Sequence, residues 1–148
     1  MSVSLYGSGQ TVVQVVSTSW TNTTSTASGS YVDVTGGTLN ITPSNSANKI
    51  LLSCSLNCFN DSYTAGNIMF VMAFVRNGTV VWSTKMQTYN DQITIPCAME
   101  YLDSPATTSA ITYKIQIYKI NGSNNIQVNN TSSFTPTSTI TAMEIAYA

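Results

Sequence analysis

Apolar residues in this chain recur at every second position in one segment after another. A period of two is what a half-buried strand imposes, whereas a helix repeats every 3.6 residues. From Lys49 to Cys58, Ile50, Leu52, Cys54, Leu56 and Cys58 share one face, and Lys49, Ser53, Ser55 and Asn57 share the other, with Leu51 the one exception. From Ala110 to Ile120, Ile111, Tyr113, Ile115 and Ile117 alternate with Thr112, Lys114 and Gln116. No window combines a helical period with helix caps. The chain reads as all-β.

Nine or ten strands are expected. They are Gln10 to Val16, Tyr31 to Thr35, Thr38 to Thr42, Lys49 to Cys58, Asn67 to Arg76, Thr79 to Met86, Gln92 to Met99, Ala110 to Ile120, Ile126 to Asn130 and Ser138 to Tyr147. Gly36-Gly37 suits the positive φ of a hairpin between the second and third, and Asn77-Gly78 predicts a two-residue type I′ turn. The Ser/Thr/Gly-rich stretch 17–30 reads as a loop or irregular edge. Strands of this number and length favour an antiparallel two-sheet sandwich, jelly-roll-like, as one domain over residues 1–148 with a short N-terminal segment of about ten residues. The run Ile68 to Val75 is apolar on both faces. Ile68, Phe70, Met72 and Phe74 suit the core, leaving Met69, Val71, Ala73 and Val75 to be covered by something else, and a neighbouring subunit is the economical choice.

Only 11 of the 148 residues are charged, 5 basic and 6 acidic, against about a quarter in an ordinary domain. The polarity is carried by 20 Ser, 22 Thr and 14 Asn. A net charge of −1 with no basic cluster cannot neutralise many phosphates, which disfavours nucleic acid and anionic membrane surfaces as partners. The longest apolar run is far short of the roughly 20 residues of a membrane span, and no secretory signal is visible at the start. With 0 His in the chain, His-based catalysis and His-ligated metals are ruled out. No cofactor is expected.

Few residues remain for chemistry. Cys54 and Cys58, four apart on one strand, lie about 13 Å apart and cannot bridge each other; either could in principle meet Cys97, but reduced core cysteines fit the alternation better. Glu100 and Asp103 are the acid pair a glycosidase reading would need, yet most of the acids flank turn residues, where capping explains them, and the chain is expected not to be an enzyme. Glu144 stands in the apolar strand Ala142 to Ala146, so it should reach solvent at an edge or meet a cation across a subunit boundary. Tyr63, Trp82, Tyr89 and Tyr101 are the aromatics a neutral glycan would contact, with rim packing as the plainer reading. Seven N-x-S/T triplets follow from so much Asn, Ser and Thr.

Several phrases carry a resemblance. Gln14-Val15-Val16, Ser28 to Thr35, Leu39 to Ser44, Asn48 to Leu51, Thr107 to Ile115 and the closing Ser138 to Ala146 are similar to modules in structural proteins of tailed bacteriophages, notably those of cyanobacteria and marine bacteria. The resemblance implies a homotrimeric component exposed on the virion, of tail-fibre type. Met1 stands only about ten residues before the first strand, which leaves no room for a shaft, so a capsid decoration or cement protein is the leading expectation. Its partners would be further copies of itself and a major capsid protein. The alternative is a fibre tip, held by a tail or baseplate protein, that binds host surface glycan.

Overall fold

The computed structural model describes residues 11–60, 68–88, 93–122, 124–130 and 135–146. Its strands are β1 (Thr11–Trp20), β2 (Thr24–Thr26), β3 (Val32–Ile41), β4 (Lys49–Asn60), β5 (Ile68–Arg76), β6 (Thr79–Thr88), β7 (Thr94–Asp103), β8 (Ile111–Asn121), β9 (Ile126–Val128) and β10 (Ser138–Ala146). They form two antiparallel sheets. In the six-stranded sheet, β7 pairs along one edge of β4, while β10 and then β9 pair along the other; β1 lies outside β10 and β2 outside β9. The second sheet runs β3-β8-β5-β6. The order β1-β10-β4-β7 facing β3-β8-β5-β6 is that of a jelly roll.

Alternation positions the core. Ile50, Leu52, Leu56, Ile68, Phe70, Met72, Phe74, Ile111, Ile115 and Ile117 meet between the sheets with almost no exposed surface. Asn77 and Gly78 take φ of 48° and 87°, and Arg76 pairs with Thr79, which is the type I′ hairpin expected of this dipeptide.

Two expectations fail. Gly36-Gly37 makes no hairpin; it lies in a bulge inside the single strand β3, where the register shifts between Asp33 and Thr38. The other is β2, a paired strand at the sheet edge within a stretch expected to be a loop or irregular edge. Thr24 and Thr26 are buried there without an apolar pattern, and the Thr24 hydroxyl accepts the Thr35 N–H of the bulge at 2.8 Å. The bulge thus frees a backbone donor, and a threonine satisfies it.

Gly36 also explains how Trp20 is seated. Its φ is +89°, and a Cβ there would lie 2.6 Å from the Trp20 ring, whose indole N–H is buried with no partner among the described residues. Gly36→Ala combines a disfavoured backbone with a collision at a buried ring. It should destabilise the fold by about 3 kcal/mol, read as a fall in Tm of roughly 6–12 °C. An unchanged Tm would show that Trp20 moves freely.

Candidate functional site

The outer face of the four-stranded sheet is where the sequence placed an interface, and β5 runs through its middle. Met69 is half-buried, while Val71, Ala73 and Val75 expose only 7%, 0% and 1% of their surface within a single chain. Their covering is local. Val71 and Ala73 lie between Tyr118 and Gln116 of β8 on one side and Lys85 and Ser83 of β6 on the other; Val75 lies between Lys114 and Val80. Most of these register neighbours carry long side chains, of the kind whose stems can screen an apolar surface. Val71, Ala73 and Val75 are thus already buried within a single chain, while Met69 keeps part of its surface.

This face is held in place by polar ties. Asp33 accepts from Lys114 Nζ and Gln116 Nε2, each at 2.7 Å, and these bonds, the Lys114 one foremost, lower its pKa. Thr112 donates to Asn40 at 2.6 Å, and Tyr31 meets Tyr118 edge-on at 4.8 Å between ring centroids. These pairs tie β3, and Tyr31 just before it, to β8, and they neutralise Asp33 against Lys114 within the chain.

Glu144 finds neither of the environments expected of it. It is fully buried, and the donors reaching it are neutral. Ser44 N and Ser44 Oγ donate to Oε1 at 2.8 Å, Asn48 Nδ2 donates to Oε1 at 2.6 Å, and Gln14 Nε2 donates to Oε2 at 2.5 Å. Burial opposes ionisation, but the bonds from Asn48, Gln14 and Ser44 outweigh it and hold the carboxyl at about 2. The residue is an anchor joining β1, β10 and the turn before β4.

Asp103 is a second anchor. Arg76 Nη1 lies 2.9 Å from both carboxylate oxygens, Ser104 N donates at 2.9 Å and the Tyr113 hydroxyl donates at 2.5 Å. Burial, then the Asp103 carboxylate it faces, raises the Tyr113 pKa well above the tyrosine range. The cluster ties β7 of one sheet to β5 and β8 of the other. Glu100 is exposed on the opposite side of β7, while Asp103 points inward. These two acids therefore cannot act together across a cleft.

Asn129 is a hub that sequence reading missed. With φ of 56° and no exposed surface, its N–H donates to Asn57 O at 2.8 Å and its amide donates to Trp20 O at 3.1 Å. Its side-chain and backbone oxygens accept from Ser138 Oγ at 2.7 Å and Thr23 Oγ1 at 2.6 Å. An Asn tolerates positive φ, which was its one visible signal, obscured among so many other Asn residues.

Two of the four glycan-contact aromatics, Tyr63 and Tyr89, lie outside the described residues, as do Asp61, Asp91 and the segment 1–10. Trp82 stacks on Tyr101 at 6.3 Å and lies 6.4 Å from Phe74, both rings packing against the core beside the β6 and β7 edges. Cys54, Cys58 and Cys97 are buried free thiols. Cys58 and Cys97 are hydrogen-bonded, and that bond, with burial behind it, holds the Cys58 pKa well up; burial pushes Cys54 to about 12. Cys54 and Cys58 therefore stay protonated, while the bond from Cys58 lowers the Cys97 pKa. Among the described residues there is no ligand-sized pocket, no group of three or more His, Cys, Asp or Glu suited to a metal, and no helix long and apolar enough to cross a membrane.

No protein-family description matches this chain, and no curated protein matches it in sequence. Among solved structures it is similar to the infectious bursal disease virus particle, at 12% identity and a TM-score of 0.46 over 89% of this chain and 37% of that one. It is also similar to the VP2 subviral particle of that virus, at 11% identity and 0.45 over 89% and 39%. The Gx strain structure gives 12% and 0.42 over 89% and 39%. The chain spans less than two-fifths of those chains. The jelly-roll description rests on the strand order and register of this chain itself.

Proposed function

We propose that this chain is a non-enzymatic structural component of a bacteriophage virion, exposed on the particle exterior, where it self-associates and reinforces the shell as a cement protein. The observation that carries the reading is the pairing of charge inside the chain with apolar side chains left outside it. Asp33 and Asp103 have cationic partners within the chain and Glu144 has neutral donors there, while Val12, Val15 and Leu102 expose 53%, 55% and 42% of their surface. A surface of that kind favours association over repulsion. The phage setting comes from the sequence resemblance, which also implies three copies per assembly and a neighbour such as the major capsid protein.

Quantitative mass spectrometry of purified virions tests the reading. Copies on the order of hundreds per particle are expected of a cement protein. A few, or a few tens, would move the chain to a fibre tip that binds host glycan, and absence from the particle would overturn both.

A further inference from the structure

Leu51, the break in the alternation between Lys49 and Cys58, has a counterpart on each strand beside it. Register places Val15 of β1 opposite Met143 of β10, Met143 opposite Leu51 of β4, and Leu51 opposite Leu102 of β7. Opposed residues in antiparallel strands point to the same side. Here that side is outward, because their neighbours Leu52, Ala142 and Asp103 are buried. Four apolar side chains thus form a stripe across the outer face of the six-stranded sheet, about 14 Å long at the usual strand spacing.

The flanks of the stripe differ. On one side the next outward residues are Val12, Ile145 and Lys49; on the other they are Ser17, Thr141, Ser53 and Glu100. A cation therefore lies on one side and an anion on the other, on adjacent strands β4 and β7. A two-fold axis along the stripe lays stripe on stripe and exchanges the two sides, bringing Lys49 of one copy to the Glu100 side of the other. This arrangement is self-complementary in both shape and charge, as an isologous contact requires. Four strands of about ten residues offer about 600 Å² of face per copy, so two copies reach the roughly 1,200 Å² of the smaller specific interfaces.

We propose that this face, centred on Val15, Met143, Leu51 and Leu102, is where a second copy of the chain docks by two-fold contact. The inference rests on the self-association put forward under the proposed function, but it moves the contact from the β5 face to the opposite sheet and makes it two-fold, in place of the three copies that the resemblance implies.

Sedimentation of the full chain over roughly 1–100 µM tests it, with urea unfolding as a check on folding. The native protein should show the mass of two chains. Leu51→Asp should raise the dissociation constant at least about 100-fold, and Lys49→Glu or Glu100→Lys about tenfold each, with the charge-swapped double variant recovering most of the loss. Should Leu51→Asp fail to fold, Leu102→Lys on the exposed edge strand takes its place. A native chain that stays single at the highest concentration overturns both this inference and self-association. A native mass unmoved by Leu51→Asp and Leu102→Lys, or lost instead on Ser83→Asp of the β5 face, overturns the docking face alone and leaves self-association standing.

Discussion

Asp103→Ala should lower the stability of the chain by about 4 kcal/mol, as breaking a buried ion pair does. The carboxylate is almost fully buried, and its removal leaves three groups without their acceptor. Arg76, whose side chain keeps 30% of its surface exposed, can turn to water. The Tyr113 hydroxyl cannot, since Tyr113 has no exposed surface, and a stranded buried donor costs about 1–3 kcal/mol. Ser104 N–H loses its bond as well. Urea denaturation is the measurement, with a midpoint about 2 M lower expected for a domain of this size. Tyr113→Phe separates the contributions: it removes the stranded donor while leaving the Arg76 bonds in place, and should cost only about 1 kcal/mol. If Asp103→Ala costs no more than Tyr113→Phe, the cluster does not clamp the two sheets.

How much of this was legible in the sequence depends on the kind of signal each element carries. Strands whose burial is apolar announce themselves, β4 and β8 by period two and β5 by an unbroken apolar run, and Asn77-Gly78 carries its own turn geometry. β2 did not, because Thr24 and Thr26 are buried through hydroxyl bonds that leave no hydrophobic pattern. Gly36-Gly37 has the composition of a hairpin, and only the ring of Trp20 above it and the Thr24 hydroxyl beside it make it a bulge. The second apolar face of β5 is buried within the single chain at Val71, Ala73 and Val75, beside Tyr118, Gln116, Lys114 and Lys85 on adjacent strands, neighbours known only once strand order is known. Leu51 looked like noise for the same reason. Its meaning depends on Val15, Met143 and Leu102, which lie tens of residues away in sequence and in one row only after the register is set. Buried acids are the hardest case: composition flags Glu144 as costly, but neutral donors from Gln14, Ser44 and Asn48 leave no charge pattern to find.

Glu144 gives the second large effect and ties stability to pH. Its folded pKa, about 2, lies below the value near 4.5 of a free glutamate, so the folded state binds its proton less tightly than the unfolded state does. The stabilisation is therefore complete above about pH 4.5 and is lost as pH falls towards 2, amounting to about 3 kcal/mol. Asp33, also lowered, acts in the same direction, but it is largely exposed and adds little. Glu144→Gln should cost about 3 kcal/mol at pH 7, because its amide would meet the Gln14 amide, which is already committed to Thr42 O at 2.7 Å, or the Ser44 and Asn48 donors. The variant should also lose most of the acid dependence, so that unfolding free energies of native and variant chains, measured in urea from pH 7 to 2, converge at the acid end. Parallel curves would mean that Glu144 is not the titrating group. The consequence reaches the surface, since Met143 and Ile145 point outward because Glu144 between them points in. A carboxylate that stays ionised to about pH 2 keeps β10 in that register, and with it the apolar stripe, through acid that would neutralise ordinary carboxylates.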